Sequence, residues 1–243
     1  MNAIAVIPAR YTSTRLPGKA LLSETGTPLI CHVIEAVRPA RCVQRVVVAT
    51  DDERIAAAAR GGGAEALLTS GRCRSGSDRV AEVADALALS DETILVNIQA
   101  DEPEMPSDCV DRVVHVLAGT TAPIATLATP MSAIDAPRPD MTKVVVDRHG
   151  MALYFSRAMI PHDRDGDAEP PYLLHHGIYA YRAGFLRAYA ALESTPAEQA
   201  EKLEQLRALE HGHDIAVAVV DYRGARIDTP EQYRAFVQRV RGA

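Results

Sequence analysis

Short aliphatic and β-branched runs alternate with segments that carry helix start signals, and no other feature of this chain restricts its fold as much. "NAIAVI" (2–7), "RVVVAT" (45–50) and "TILVNI" (93–98) are almost wholly apolar. A strand apolar on both faces belongs inside a parallel sheet covered on both sides. Between these runs, "PLICHVIEAV" (28–37) predicts a helix with Pro28 in its first turn. A second helix is expected from Asp52 to about Arg60, and "GGG" (61–63) ends it. Ser75 and Asp78 match a capping box, and Val80, Val83, Ala84 and Leu87 follow at helical spacing.

The alternation continues. "PIATLATP" (123–130), "KVVVD" (143–147), "HGIYAYR" (176–182) and "DIAVAVV" (214–220) predict further strands. "TPAEQAEKLEQLRALEHG" (195–212) predicts one helix, with Thr195 as N-cap, Pro196 at N1, Glu198 at N3 and Gly212 as its stop. "DTPEQY" (228–233) repeats that start signal with Thr229, Pro230 and Gln232. The expected class is α/β, a mostly parallel sheet flanked by helices. No repeat or low-complexity linker divides the 243 residues, so one domain over 1–243 is expected. The segment 137–182, rich in Pro, Asp and Gly up to about Ala168, is the expected inserted lobe.

A net charge of −6 argues against a nucleic-acid surface, which needs a broad basic face. Cys31, Cys42, Cys73 and Cys109 show no zinc spacing, so free thiols in a reducing cytoplasm are expected. "MNAIAVIPAR" carries no basic n-region and its apolar run is short, so no signal peptide is expected, and no apolar run reaches the length of a membrane span.

Within this acidic chain, "VIPARYTSTRLPGKAL" (6–21) gathers Arg10, Arg15 and Lys19, with Pro8, Pro17 and Gly18 shaping the backbone. Guanidinium forks and an ammonium suit a compact polyanion such as a triphosphate, although a solvated surface loop is the plainer alternative. Neither a Walker A pattern nor G-x-G-x-x-G after the first strand is present, which weakens P-loop and dehydrogenase readings.

Past the strand 93–98, "NIQADEP" (97–103) offers Asp101, with Glu102 beside it, as a carboxylate for Mg²⁺. A turn-forming Asp is the alternative. Asp228 lies between a strand and a capped helix, where an acid also stabilises the helix N-terminus. Two such acids and a cationic loop fit nucleotidyl transfer. In a parallel sheet, ligands sit beyond the carboxyl ends of the strands, so the loops 8–19, 99–104 and 221–228 are expected on one rim.

Arg157 in "YFSRAMIP", His175 and Tyr179 in "HHGIYAYR", and Glu204 and Gln205 in "EKLEQLR" supply groups able to recognise a carboxylated polyol. From the residues alone, Glu204 and Gln205 read first as solvated helix positions, with acceptor recognition as the alternative. His175 and His176 are adjacent, so on a strand they point to opposite faces and do not share a metal.

Taken in order, "IPARYTSTRLPGKAL", "NIQADEP", "ALYFSRAMIP", "HHGIYAYR", "LEQLRALEHG" and "IDTPEQY" resemble motifs of the 3-deoxy-manno-octulosonate (Kdo) cytidylyltransferases, from Ile4 to about Val237. The resemblance implies a Rossmann-like nucleotidyltransferase fold. It also implies a homodimer that uses CTP and Mg²⁺ to join CMP to the anomeric hydroxyl of a 3-deoxy-ulosonic acid. The lobe 137–182 would then contribute acceptor and dimer contacts. Carried over, Arg10, Arg15 and Lys19 clamp the triphosphate, with Asp101 completing the catalytic set. Asp101 and Asp228 hold Mg²⁺. Ser75, Gly76 and Arg79 frame the nucleotide. Gln99, Arg157, His175, Tyr179, Glu204 and Gln205 bind the acceptor.

Several positions depart from the family pattern. Ala100 replaces a glycine, so a strained loop is expected if that glycine has positive φ, or a smaller pocket if it lets the sugar come close. Arg72 and Cys73 replace an Asp–His pair. Leu174 replaces a basic residue, His176 an apolar one, and the loop 163–174 is short. A different small acidic acceptor (another sugar acid, a carboxylate or a phosphonate) is the alternative that these departures raise. A nucleotide-binding protein without catalysis is disfavoured, because Lys19, Asp101 and Asp228 are all retained.

Overall fold

The apolar runs become parallel strands. In the computed structural model, which describes residues 2–12, 16–73, 75–166, 170–224 and 226–242, these are β1 (Ala3–Ala9), β2 (Val43–Thr50) and β4 (Ile94–Asn97). A fourth, β3 (Glu65–Leu68), has no counterpart in the sequence reading, being only four residues after the glycine run, two half-buried and two exposed. The order β3-β2-β1-β4 is parallel throughout. The apolar run read as the first strand stops at Ile7, yet β1 continues through Pro8 to Ala9. Ile98 N–H donates to Val6 O, so Val6 and, two residues on, Pro8 face β4. Pairing on that side ends at Val6–Asn97, so the missing N–H of Pro8 forfeits no ladder bond.

The chain forms two compact units, 1–111 with 182–190 and 224–243, and 112–181 with 191–223. In the first, α1 (Leu29–Val37), α2 (Glu53–Gly61) and α3 (Gly76–Ala86) accompany the parallel strands. Here α2 packs on β2 and β3, and α3 packs on β1, β2 and β4. Val6, Ile7, Leu29, Ile34, Val48 and Leu95 are fully buried, each side chain worth roughly 1.5–3 kcal/mol of transfer free energy. The unit closes with α5 (Ala183–Ala191), all but its last residue, and α8 (Pro230–Gly242). α4 (Ser107–Ala118) spans the division.

The second unit holds the expected lobe segment up to Tyr181. Its β5 (Ile124–Pro130) pairs in parallel with β9 (Ile215–Val219) and antiparallel with β8 (Leu173–Arg182). β6 (Lys143–Val146) and β7 (Ala152–Ser156) form an antiparallel pair. The antiparallel ladders thus collect here, while every pair in the first unit is parallel.

One expectation fails here. Residues 195–212 form two short helices, α6 (Pro196–Glu201) and α7 (Gln205–Glu210), rather than one. Lys202 adopts φ 53° and ψ 47°, the left-handed region that glycine normally fills. Neither Gly nor Pro occurs at the break, so tertiary contacts enforce it.

Candidate active site

In the first unit, β1 runs into the cationic loop, with Arg10 exposed just past its end. Gly18 has φ 67°, and a Cβ there would lie 3.2 Å from the Tyr11 ring. Positive φ and a close ring together select glycine, which then opens the 3₁₀ turn Lys19–Leu21. The Arg54 guanidinium lies 3.8 Å from the Tyr11 ring centroid. Arg15 lies outside the described residues.

Lys19 Nζ stands 2.8 Å from Asp101 Oδ2 and 3.2 Å from Asp228 Oδ1. Two features bring these distant acids together. Ile227 N–H donates to Asp101 O at 2.9 Å, joining the two acid-bearing segments. Leu16, Leu29, Ile227, Tyr233, Phe236 and Val237 form one buried cluster, which fixes α8 beside the loop that carries Lys19. The Tyr233 hydroxyl also accepts from Glu24 N–H at 2.9 Å.

Glu102 is 3% exposed, and its Oε2 has no hydrogen-bond partner among the described residues. Burial pushes its carboxyl up to about 7, opposed by the Arg226 guanidinium 3.5 Å away and reinforced by Asp101 and Asp228. Arg226 was absent from the sequence reading. Its only signal was its place two residues before Asp228.

The Lys19 ammonium marks a point where one cation meets two carboxylates. That donor set fits Mg²⁺, which takes one or two protein carboxylates and completes its shell with substrate oxygens and water. No group of three or more His, Cys, Asp or Glu side chains able to hold a metal occurs among the described residues.

The segment expected to frame the nucleotide is built on α3. Ser75 Oγ accepts from Asp78 N–H at 3.1 Å, and Asp78 Oδ2 accepts from Ser75 N–H at 3.2 Å, the reciprocal cap read from the sequence. Gly76 follows, where a Cβ would make ordinary contact with Pro8. Arg79 is buried and donates to Thr69 Oγ1 and, at 3.1 Å, to Asp51 Oδ2, so it braces the ends of β2 and β3. Gln99 lies half-buried past β4, its carbonyl accepting from Glu102 N–H at 3.2 Å.

In the second unit, His175 Nε2 lies 3.0 Å from Thr126 Oγ1, and its ring packs against Phe155 and Tyr179. His176 instead faces Tyr222, as strand alternation requires. The β5–β8 register shifts between Thr126 and Leu127, and Thr126 Oγ1 bonds the Ile178 carbonyl at 2.8 Å inside that bulge. Thr126 was not singled out from the sequence.

Glu204 is the N-cap of α7, and Gln205 is buried, its Nε2 without a hydrogen-bond partner among the described residues. Arg157 donates Nε to Glu201 O at 2.7 Å and Nη1 to Pro139 O at 3.1 Å. Its guanidinium therefore grips the end of α6.

The cytidylyltransferase family profile matches residues 4–215. A 3-deoxy-manno-octulosonate cytidylyltransferase of Syntrophobacter fumaroxidans is 50% identical over 98% of this chain and 96% of its own. A second, from an Anaeromyxobacter species, is 50% identical over 95% of this chain and 94% of its own. The chain belongs to the Kdo cytidylyltransferase family. A solved structure of a CMP:2-keto-3-deoxy-manno-octonic acid synthetase complexed with CTP superimposes with a TM-score of 0.94 at 40% identity, covering 100% of this chain and 99% of that one. A Rossmann-like nucleotidyltransferase fold follows.

Family membership sharpens the departures. Only Ala88 and Lys202 among the described non-glycine residues have positive φ, so Ala100 fits its loop without left-handed strain. Cys73, where the family carries histidine, lies 3.1 Å from Glu82 Oε1, and Glu82 Oε2 accepts from Ser70 N–H at 2.7 Å. His176 is buried against Tyr222, so it takes an aromatic contact at a position that is usually apolar.

Proposed function

We propose that this protein transfers CMP from CTP to the anomeric hydroxyl of Kdo, releasing pyrophosphate. The observation that carries this is the convergence of Asp101, from the middle of a family member's chain, and Asp228, from its C-terminal segment, on one cation position. The acceptor oxygen bonds to the α-phosphorus, and the bond to the bridging oxygen breaks. Pyrophosphate leaves with that electron pair, and the hydroxyl proton is released. Arg10, Arg15 and Lys19 neutralise charge on the departing pyrophosphate. Ser75, Gly76 and Arg79 frame the nucleotide. Asp101 and Asp228 hold Mg²⁺, which when bound acidifies the attacking hydroxyl and screens the phosphates.

Gln99, His175, Tyr179, Glu204 and Gln205 recognise the acceptor, with Arg157 supporting that set. The buried, unbonded Gln205 Nε2 supports this, because a donor of that kind calls for a ligand oxygen. Exposed Leu153 and Tyr154 on β7 support a homodimer, and four free cysteines suit a reducing cytoplasm. No helix among the described residues is long and apolar enough to cross a membrane.

The test is pyrophosphate release from CTP and Mg²⁺ with Kdo, other ulosonic acids, and small carboxylates and phosphonates, beside Asp101→Ala. Release with Kdo that falls at least about a hundredfold in the variant is expected. Release with another acceptor alone would retain the chemistry and replace the acceptor.

A further inference from the structure

The break between α6 and α7 has no cause in its own residues. "EKLEQL" is helix-forming, and the left-handed region is unfavourable for a non-glycine residue. Strain of this kind persists only where the surroundings over-determine it, and it clusters at functional sites. At Lys202 the surroundings are explicit. The Glu201 carboxylate accepts from Ser156 Oγ at 2.5 Å and from Arg157 N–H at 2.9 Å. The Arg157 guanidinium takes the Glu201 carbonyl, with Nη2 3.5 Å from the Lys202 carbonyl. Beyond the break, Arg207 pairs with buried Glu198, tying α7 back to α6.

Behind Arg157 stands Lys143, one of the largest side chains in the molecule with no exposure at all. Its ammonium donates to three carbonyls: Arg138 O at 2.8 Å, Met141 O at 2.6 Å and Arg157 O at 2.6 Å. Pro139, between the first two, is the residue whose carbonyl receives Arg157 Nη1. Lys143 therefore fixes both the backbone of Arg157 and the loop against which its guanidinium rests. A cation satisfied by neutral dipoles at this depth is costly to bury, and a hydrophobic residue would fill the same space more cheaply.

We propose that Lys143 is a positioning residue for acceptor binding: acting through Arg157, it enforces the left-handed turn at Lys202 that sets Glu204 and Gln205 in place. This rests on the reading of Glu204 and Gln205 as acceptor contacts. Without the brace, 195–212 relaxes towards one continuous helix, and both side chains rotate away from their present positions.

The test compares wild type, Lys143→Met, Lys202→Gly and the double variant. Glycine accepts the left-handed turn without strain, so it supplies the conformation that Lys143 otherwise enforces. Lys143→Met is expected to raise the acceptor KM at least tenfold while the CTP KM stays within twofold. Adding Lys202→Gly should bring the acceptor KM back to within about threefold of wild type. Amide exchange over residues 203–206 should quicken in Lys143→Met and slow again in the double variant, whichever acceptor the enzyme uses. If Lys143→Met does not fold, Glu201→Gln loosens the same brace and carries the same rescue. Equal rises in both KM values, no rescue by glycine, or unchanged exchange at 203–206 would overturn the proposal. Failure of wild type to use Kdo, with exchange behaving as stated, would instead remove Kdo as acceptor and leave the brace standing.

Discussion

Two lysines, one in each unit, are held in opposite ways. Lys19 Nζ stands between the carboxylates of Asp101 and Asp228, whereas Lys143 Nζ stands among three backbone carbonyls. Carboxylates that neutralise an ammonium can exchange it for another cation. Removing the buried ammonium takes a donor from all three carbonyls, of which Arg138 O keeps the Met141 N–H at 3.3 Å. Lys19 thus sits where another cation could replace it, whereas Lys143 defines the shape of the backbone around it in the second unit.

The largest effect that can break this contrast is at Lys19. Two unit charges 4 Å apart interact by about 4 kcal/mol at an effective dielectric of 20, so removing the ammonium leaves a strongly anionic pair. Lys19→Met should therefore bind Mn²⁺ at least tenfold more tightly in the absence of nucleotide, read from the free Mn²⁺ signal by electron paramagnetic resonance. Its pyrophosphate release should nevertheless fall by roughly two to three orders of magnitude, because the triphosphate loses its clamp. Mn²⁺ affinity that stays level or weakens would mean that Lys19 does not compete for the two acids.

The same contrast explains what could be read without coordinates. In the first unit Arg10 and Asp101 lie just past β1 and β4, where a local motif such as "NIQADEP" reports position directly. Ser75 and the segment of Asp228 are legible instead from the helix start signals of α3 and α8. Arg79 was assigned to the nucleotide, but its bonds to Thr69 and Asp51 come from strand ends that sequence spacing does not join. In the second unit the decisive event, a broken helix, contradicts local propensity. Nothing within 195–212 announces it, because its causes lie at Lys143, Ser156 and Arg157. Elements without expectations fail for simpler reasons. β3 is four residues long, and β7 places Leu153 and Tyr154 side by side in solvent, which erases the alternation that marks a strand. α4 does carry a helical stripe in Val110, Val113, Val114 and Leu117, but these are mainly β-branched and equally suit a strand by propensity.

Glu198 and Arg207 sharpen the contrast, because they are a carboxylate and a cation placed in the second unit. Both are under a tenth exposed, and they bond at two points. Burial works to raise the Glu198 pKa, but the Arg207 and Ser194 hydrogen bonds outweigh it and hold the carboxyl below its ordinary range. The stability it contributes is thus complete above the unfolded-state value of about 4.3 and is lost as pH falls through the folded-state value. Glu198→Gln should cost about 3 kcal/mol in urea unfolding at pH 7, from stranding Arg207. It should also flatten the decline in stability below about pH 4.3. The CTP KM should stay unchanged. A CTP KM that rose with the stability loss would show that the pair serves more than the shape of the second unit.

Glu82 supplies the smallest effect, as a carboxylate of the first unit that holds a backbone N–H and a thiol. The Cys73 thiol is pushed up to about 11, first by burial, then by its hydrogen bond to Glu82 and that carboxylate's charge. At pH 8 about one thiol in a thousand is then ionised, against roughly a quarter for an unperturbed cysteine. Iodoacetamide should therefore label Cys73 some two orders of magnitude more slowly than a free thiol, read by peptide mass spectrometry. Glu82→Gln removes the charge and keeps a carbonyl acceptor for the Ser70 N–H, so labelling should quicken severalfold with the segment 69–73 still in place. Fast labelling of wild type at pH 8 would mean that the thiol is not held by the carboxylate. Glu82 would then be tied to its loop through the Ser70 N–H alone.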